Sequence, residues 1–298
     1  PFGHEIEYSS SLRETPERSR FTQTLFPGER DLGAMISFKA PKTSPFNPLS
    51  IRAGMFSGTG PSAVDYDEYK DFIGNIRYDK AYQKMKLGLG ASIYMGGSQN
   101  AYIGDKYFVY SDIKSYDNGA KGYQVDSTSR ARKSDRNFNG IDFQFSYDAP
   151  WGIVDLRGEY IFGSQQGVSN SSSTFTSKPT TVTYVRNFQG YYIYFIQSIY
   201  NTKHKIVFKY DVYDPNVDVK NDEIGYRGET NKIASSLATN STDIKYSTIA
   251  IAWLYQYNSN VRIMANYSIV KNETSKYLAG FNNDLKDNVF TLRVQYKF

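Results

Sequence analysis

The chain contains no cysteine among its 298 residues. Disulfide frameworks, thiolate zinc sites and cysteine nucleophiles are therefore excluded. Histidine is nearly absent as well, since only His4 and His204 occur. The stretch His4–Tyr8 reads HEIEY and lacks the second histidine of a zinc-protease helix. We therefore expect no metal site, no cofactor and no catalytic constellation, and the chain is not predicted to be an enzyme.

Long apolar runs are also missing. No stretch of about 18 apolar residues occurs, so the sequence encodes no transmembrane helix. The mean hydropathy of −0.55 still permits a membrane protein, because polar residues that face the lumen of a barrel offset apolar residues that face lipid. Tryptophan is scarce, with 2 residues, whereas tyrosine is abundant, with 27. Abundant tyrosine is typical of the aromatic girdles of membrane barrels.

Apolar and polar residues alternate with a period of two along most of the chain. Ile249, Ile251 and Trp253, for example, fall on one face of an extended segment, and Thr248 and Ala250 fall on the other. Such alternation is the signature of a strand with two different faces. It recurs from residues 32–39 to the end of the chain. The sequence predicts about twelve strands after Asp31, or thirteen with the short piece Phe2–Tyr8.

The connections between these strands alternate between short turns and long polar loops. The long loops are predicted at residues 96–137, 165–183 and 214–242. The strands are about 9–11 residues long, which spans a bilayer when a strand is tilted. A soluble β-sandwich would have shorter strands without alternating loop lengths. The predicted fold is therefore all-β, a transmembrane antiparallel β-barrel that forms one domain over residues 1–298, with the long loops outside the cell.

The number of strands suggests that the barrel is larger than this sequence. Bacterial barrels have an even number of strands, and a descending last strand makes Phe2–Tyr8 an ascending one. Four further strands before Phe2 would give a barrel of about sixteen. Pro1 is also not a natural start. We therefore expect the sequence to lack the N-terminal part of the barrel.

The stretch Ser9–Arg30 is too polar for a membrane strand and contains Pro16 and Pro27. Because proline cannot donate to a strand ladder, we predict a structured loop that folds inward and constricts the lumen. The candidate anion-binding residues at this constriction are Arg13, Arg18, Arg20, Ser9, Ser10 and Ser11. Alternatively, the arginines pair with Glu14 and Glu17 and pin the loop to the wall, and the serines cap a turn.

The first 33 residues, PFGHEIEYSSSLRETPERSRFTQTLFPGERDLG, resemble the phosphate-selective porin O/P family. In that family a Pro-Phe-Gly strand leads into a serine-rich loop with a Glu-Arg-Ser element, here Glu17, Arg18 and Ser19. The resemblance implies a trimeric channel of sixteen strands. It also implies arginine and lysine side chains in the lumen, which select phosphate or pyrophosphate in some members.

The faces opposite the apolar stripes carry an excess of basic residues. The predicted lumen-facing bases are Lys39, Arg52, Arg77, Lys86, Arg157, Lys205, Lys209, Arg262, Arg293 and Lys297. Only four acids, Asp142, Asp155, Glu159 and Asp211, share these faces. Rings of lysine and arginine are how pores favour anions, and arginine adds two-point recognition of phosphate. The alternative is that these cations only solvate a wide pore without selecting its solutes.

The last predicted strand ends at Phe298 and has apolar residues at every second position before it. This pattern resembles the C-terminal signal that the barrel-assembly machinery recognises, with Tyr296 and Phe298 as its aromatic residues. The alternative is an ordinary edge strand.

Together these observations predict a passive porin in the outer membrane of a Gram-negative bacterium, with a preference for small anions such as phosphate. We expect a homotrimer in contact with outer-membrane lipid. Loop 96–137 contains Arg130, Arg132, Lys133 and Arg136, and we expect it to contact lipopolysaccharide phosphates, or nothing specific, and not nucleic acid. One alternative is a non-selective or plugged structural barrel that serves as a subunit of a larger complex. A second alternative is a soluble β-rich binding module.

Overall fold

The structure is a computed structural model that describes residues 2–9, 11–61, 63–116, 119–127, 132–230 and 232–297. The strands are β1 (Gly33–Lys39), β2 (Leu49–Phe56), β3 (Asp71–Ala81), β4 (Met85–Gln99), β5 (Tyr102–Ile103), β6 (Lys106–Tyr107), β7 (Val109–Ser115), β8 (Lys121–Asp126), β9 (Lys133–Ala149), β10 (Gly152–Gly167), β11 (Thr183–Ser198), β12 (His204–Asp214), β13 (Tyr246–Gln256), β14 (Val261–Asn272) and β15 (Val289–Tyr296). One α-helix, α1, covers Arg20–Leu25, and 3-10 helices cover Glu5–Glu7, Asn221–Glu223 and Ser241–Asp243. Within the described ranges, no helix is both long and apolar enough to cross a membrane.

Thirteen of the strands form one sheet. Eleven of them pair as antiparallel neighbours in the order β1-β2-β3-β4-β9-β10-β11-β12-β13-β14-β15, so β1 and β15 lie at the two ends of this path. The hairpin β7–β8 attaches to β11, and β5 pairs only with β6. These eleven strands are here termed the wall. Each of them is followed in sequence by its neighbour in the sheet, apart from the insertion between β4 and β9. The predicted all-β antiparallel architecture is confirmed.

The two faces of this sheet differ in polarity and in burial. In one cross-strand row, Phe195 pairs with Phe208, which pairs with Ile251, and these side chains are 37%, 46% and 44% exposed. In the next row, on the other face, Tyr194 and Lys209 are buried. The apolar face is therefore the exposed one, and the buried face, here termed the inner face, carries charged and polar residues. This arrangement is the inverse of a soluble domain and is typical of membrane barrels.

The connections fall into two groups at opposite ends of the strands. One end, here termed the short-turn end, has connections at residues 40–48, 82–84, 150–151, 199–203 and 257–260. The other end, the long-loop end, has connections at residues 57–70, 100–132, 168–182, 215–245 and 273–288. The strands β4 and β9 extend further than the sequence indicated, since residues 96–99 and 133–137 belong to them and not to a loop.

The long loops pack against one another. The backbone N–H of Tyr123 in β8 donates to the carbonyl of Leu237, 2.7 Å away, so loop 100–132 reaches loop 215–245. Val219, Ile224 and Ile244 form a separate buried apolar cluster in the same region. The described parts of these loops therefore pack around a small core of their own.

The prediction that Phe2–Tyr8 forms a strand is wrong. Gly3 has a positive φ of 65°, and residues Glu5–Glu7 form a 3-10 helix. The N–H of Gly3 donates to Ser92 Oγ (2.9 Å), and that of Glu5 donates to Glu159 Oε2 (3.0 Å). Because these N–H groups donate hydrogen bonds to side chains of the wall, they are not available to a strand ladder. A Cβ at Gly3 would also lie 1.9 Å from Glu159 Oε1, which explains why glycine is needed here.

Residues 2–30, here termed the inner segment, lie against the inner face of the sheet. Glu7 contacts Arg52 on β2, Glu14 contacts Arg157 on β10, and the carbonyl of Arg13 accepts a hydrogen bond from Arg262 on β14. A segment of this length can touch strands from β2 to β14 only if the sheet curls around it. The inward fold expected for Ser9–Arg30 is therefore observed for the described residues of this stretch.

Aromatic residues anchor the inner segment to the wall. The ring of Phe2 packs edge-on against Phe138 at a centroid distance of 6.2 Å. Phe21, on α1, stacks on Tyr192 at 6.1 Å. The helix approaches this closely because Gly190 has no side chain, and a Cβ there would lie 2.8 Å from Phe21. Both phenylalanines are almost fully buried, so their burial contributes to holding the segment in place.

Candidate functional site

The carboxylates of the inner segment pair with basic residues of the wall. Glu14 binds the guanidinium of Arg157 through two parallel hydrogen bonds of 2.9 and 3.0 Å. A carboxylate oxygen of Glu7 lies 2.5 Å from a guanidinium nitrogen of Arg52. Two-point pairs of this kind are among the strong charge-assisted hydrogen bonds. The basic excess predicted for the lumen is thus partly neutralised by the chain's own acids.

Glu5 is the most connected of these acids. It is buried and accepts hydrogen bonds from the backbone N–H and hydroxyl of Ser19 and from the hydroxyl of Thr22 (2.6 Å). It also lies 3.8 Å from the ammonium of Lys209, which in turn lies 3.5 Å from Asp211. Glu5 therefore joins the start of the inner segment, the start of α1 and strand β12.

Arg77 shows how the wall itself pairs charges. Its guanidinium donates to Asp142 at 2.8 Å and also contacts Gln144, although both partners lie two strands away on β9. The intervening strand β4 presents Gly88 and Gly90 at this position. A Cβ on Gly90 would lie 2.2 Å from Asp142, so the glycines make room for the arginine to cross the strand.

Arg18, predicted to bind anions, is enclosed by the inner segment itself. Its guanidinium forms two hydrogen bonds of 2.9 Å with Glu29. It also donates to the carbonyls of Tyr8 (2.9 Å) and Glu5. Only 4% of the residue is exposed. Arg18 thus links the two halves of the inner segment, and its partner is Glu29 and not the predicted Glu14 or Glu17.

The other predicted constriction residues have different surroundings. Arg13 is half-buried, and burial, followed by the nearby charge of Arg18, lowers its pKa. The guanidinium of Arg20 lies over the ring of Tyr246 at 3.9 Å. The hydroxyls of Ser9 and Ser11 are 2.9 Å apart, next to a turn in which Leu12 N–H donates to the carbonyl of Ser9. Ser10 lies outside the described residues.

The predicted lumen bases without an ion pair in the described ranges cluster at the short-turn end. Lys39, Lys86, Lys205 and Lys297 all lie next to short turns. Arg262, the second residue of β14, donates to Gln295 and to the carbonyl of Arg13. We term these five residues the basic rim. Arg293, opposite Met264 on the neighbouring strand β15, is not counted with them. Three acids, Asp79, Asp148 and Asp155, lie at the same end, and Asp79 pairs with Arg77.

Two cavities lie along the inner segment. One has a volume of about 700 Å³ and is lined by Phe26, Arg30 and Thr59 toward the long-loop end. The other has a volume of about 430 Å³ and is lined by Lys86 and residues of the short-turn end. Tyr8 borders both cavities. Because the guanidinium of Arg157 lies 4.6 Å above the Tyr8 ring, this side chain is held as a partition between them.

His4 lies beside this partition and outside the strands of the wall. Its ring centroid is 5.0 Å from that of Tyr8. Burial, assisted by the positive charges of Arg77 and Arg157, lowers the pKa of His4 to about 3. His4 is therefore neutral at physiological pH.

Sequence reasoning missed the aromatic anchors on the inner face. Phe138 and Tyr94 are buried there, within 4.9 Å of each other. A signal was present, because Phe138 has the opposite parity to Ile141 and Phe143, which are on the exposed stripe of the same strand. Of the predicted assembly signal, Tyr296 is exposed and pairs with Val261, whereas Phe298 lies outside the described residues.

No family model matches the chain, and no curated protein matches it significantly. Solved structures similar to it include a porin, with 10% identity over 89% of this chain and a TM-score of 0.44, and this chain spans 60% of that protein's length. OmpT, an outer membrane protein of Vibrio cholerae, has 11% identity over 100% of this chain and 74% of its own, with a TM-score of 0.46. An anion-selective porin from Comamonas acidovorans has 12% identity over 88% of this chain and 57% of its own, with a TM-score of 0.39.

Proposed function

We propose that this chain forms the wall of a water-filled channel in the outer membrane of a Gram-negative bacterium, through which small hydrophilic solutes diffuse passively. The observation that carries the proposal is the inverted polarity of the sheet. Phe208 and Ile251 on the outward face are 46% and 44% exposed, whereas Arg77 and Lys209 on the inner face are buried. Lipid stabilises exposed apolar side chains on the outward face, and a polar lumen requires charged and polar side chains on the inner face.

In this proposal the inner segment narrows the lumen. Tyr8 stands between the two cavities, so a solute that passes from one cavity to the other has to move past its ring. The contacts of Glu5 with Lys209, of Glu14 with Arg157 and of the Glu5 N–H with Glu159 fix the segment on the wall and keep this narrow point in place.

We further propose a preference for small anions, phosphate among them. Support comes from the basic rim, whose five basic residues share the short-turn end with three acids, Asp79, Asp148 and Asp155. Rings of lysine and arginine attract anions into a pore mouth. Membership of the phosphate-selective porin O/P family remains a prediction from the first 33 residues.

The remaining assignments follow from this setting. We propose a homotrimer whose apolar outer face contacts lipid, and long loops that face lipopolysaccharide outside the cell. The C-terminal strand, with Tyr296 on its exposed face, would be the part that the barrel-assembly machinery recognises. The chain would act as a channel and not as an enzyme, without cofactor, metal or nucleic acid.

A plugged structural barrel is the second candidate, and the ion pairs of the inner segment favour it. Arg52, Arg157 and Lys209 all have an acid of the inner segment as a partner, as expected for a segment that seals the lumen. The cavities of about 700 and 430 Å³ favour the open channel instead.

Recording from single molecules in planar bilayers separates the two candidates. The full-length protein should conduct, and its reversal potential in a salt gradient should show an anion preference. Tyr8→Ala should raise the conductance because it joins the two cavities, whereas Leu12→Ala, a truncation at an exposed position of the same segment, should leave it unchanged. If the wild type and Tyr8→Ala both fold and neither carries a current, the lumen is plugged.

A further inference from the structure

A third pocket, with a volume of about 280 Å³, lies between the inner segment and the long loops. Arg20 of α1 lines it on one side, and Ser171 and Ser172 of loop 168–182 line it on another. Tyr246, the first residue of β13, completes it at the long-loop end of the wall. The pocket therefore lies where α1 of the inner segment meets the long-loop end of the wall.

The charge of this pocket differs from that of its larger neighbour. Among the described residues that line it, Arg20 is the sole charged one. Within the same described ranges its guanidinium has no ion pair. Asp211 accepts a hydrogen bond from the backbone N–H of Arg20 (3.3 Å), and its carboxylate lies 3.5 Å from the ammonium of Lys209. The 700 Å³ cavity, by contrast, is lined by three arginines and three carboxylates. The lining of the small pocket therefore carries one positive charge and no carboxylate, whereas the lining of the large cavity is balanced.

The guanidinium of Arg20 is held in one orientation. Its Cζ lies over the Tyr246 ring, 3.9 Å from the ring centroid. The backbone of the same residue is fixed, because its carbonyl accepts a hydrogen bond from the hydroxyl of Thr24 (2.9 Å). Stacking occupies the face of a guanidinium and leaves the N–H groups at its edge able to donate. Arg20 is thus a preorganised donor.

The serine hydroxyls of the pocket are also poised as donors. Ser171 Oγ accepts from the N–H of Ser173 (3.2 Å), and Ser172 Oγ accepts from the hydroxyl of Tyr213 (3.4 Å). Each serine oxygen thus accepts from the protein and keeps its own O–H for a further partner. Asn170 adds an amide that can donate and accept. The pocket therefore offers convergent donors around one positive charge.

We propose that this pocket is a binding site for the carboxylate of a small hydroxylated organic acid. A planar carboxylate matches the two-point geometry of the guanidinium edge, and the serine and asparagine groups match a hydroxylated body. The volume of about 280 Å³ exceeds the requirement of a free inorganic ion and suits a short organic chain. This inference rests on the proposed channel function, since it assigns the pocket to solutes on their way through the lumen.

The test uses the full-length protein in planar bilayers, with gluconate as the probe. Gluconate should reduce the open-channel current in a saturable way, and glucose, which lacks the carboxylate, should not. Arg20→Gln should raise the half-blocking concentration of gluconate at least about tenfold, the loss expected for a charge-assisted hydrogen bond. Arg20→Lys should give an intermediate value, because it keeps the charge and loses the planar fork. Ser172→Ala should weaken the block by a smaller factor.

Arg30→Gln is the matched control, because Arg30 lines the balanced 700 Å³ cavity, and it should leave the gluconate block unchanged. An equal block in wild type and Arg20→Gln would overturn the site. A block by inorganic phosphate that depends on Arg20, without one by gluconate, would overturn the carboxylate assignment. If the protein carries no current, the proposed channel fails, and calorimetry in detergent then decides the pocket: heat of gluconate binding that Arg20→Gln abolishes supports it, and no heat overturns it.

Discussion

The inner face has two levels whose basic residues differ in their surroundings. At the middle level, Arg52, Arg157 and Lys209 each lie against a carboxylate of the inner segment. At the short-turn end, Lys39 and Lys205 of the basic rim have no ion pair in the described ranges. All five side chains carry a positive charge and occupy inward-facing positions of their strands.

This difference shows that position on a stripe does not decide what a basic residue does. Where the inner segment reaches the wall, water is excluded and an unpaired charge would be costly, so each base is matched by an acid. Where the segment ends, water remains, and lysines can stay unpaired at little cost. The middle bases therefore hold the constriction, and the rim bases are the ones free to attract a solute.

The largest effect is expected when the best-connected acid of the middle level is removed. Glu5→Ala deletes the partner of Lys209 and the acceptor of Ser19 and Thr22. Breaking a buried ion pair by removing one partner typically costs about 3–5 kcal/mol. We expect the inner segment to detach and to become sensitive to protease in an otherwise folded barrel.

Glu17→Ala is the matched control for this experiment, since Glu17 lies in the same segment and is exposed. It should leave the protease resistance of the segment unchanged. If Glu5→Ala is as resistant as Glu17→Ala, the carboxylate of Glu5 does not hold the segment.

The second prediction compares one base from each level. Arg157→Gln leaves Glu14 without its two-point partner, and we expect it to lower the free energy of unfolding by about 2–3 kcal/mol. Lys205→Gln, on the rim, should change it by less than about 0.5 kcal/mol, as is usual at solvated sites. Urea unfolding in lipid vesicles measures both. Equal losses for the two variants would remove the distinction between the levels.

The faces of the wall could be predicted from the sequence, whereas the charge pairs could not. Alternation is a local property, so Phe143 and Phe208 were assigned correctly to the exposed stripe. The pair Glu14–Arg157 joins residues 143 positions apart, and nothing local in either stretch specifies the other. Arg18 illustrates the same limit, because Glu14 and Glu17 are its nearest acids in sequence and yet Glu29 binds it.

The candidate site was predicted as a region but not in its details. The bends at Pro16 and Pro27 and the polarity of Ser9–Arg30 were enough to indicate an inward loop. The strand expected at Phe2–Tyr8 is absent, because the backbone N–H groups of Gly3 and Glu5 donate to the side chains of Ser92 and Glu159. Such side-chain acceptors become visible only when the wall is folded.

A smaller effect is expected from His4, which lies between the two levels. Its pKa of about 3 in the folded protein is below the value of 6.5 expected in the unfolded chain. Below about pH 6.5 the unfolded state therefore binds more protons than the folded state. The free energy of unfolding consequently decreases as the pH falls from 6.5 toward 3. Between pH 7.5 and pH 5.5 the loss should be about 1.4 kcal/mol.

His4→Gln removes this titration, so the variant should lose less stability than the wild type between pH 7.5 and pH 5.5. Urea unfolding at both pH values measures the difference, and the acids common to both proteins cancel in the comparison. Parallel losses in wild type and variant would show that His4 is not held neutral by burial.

The smallest effect is expected at the basic rim, because its lysines are solvated. In bulk water a unit charge about 4 Å from an anion contributes about 1 kcal/mol, and salt at 0.1 M screens charges over about 10 Å. Changing Lys39, Lys86, Lys205 and Lys297 together to glutamine should therefore lower the ratio of anion to cation permeability by a few-fold at 0.1 M salt. The reversal potential in a salt gradient measures this ratio.

The same measurement on the double variant Glu14→Gln with Arg157→Gln supplies the contrast, because that pair carries no net charge. If the channel folds, its anion preference should stay at the wild-type value. The rim effect should also fade at 1 M salt, where the screening length is about 3 Å. A shift in the double variant that equals that of the rim variant would mean that the constriction and not the rim selects the ion. The pairing at the middle level would then be incomplete in the working channel.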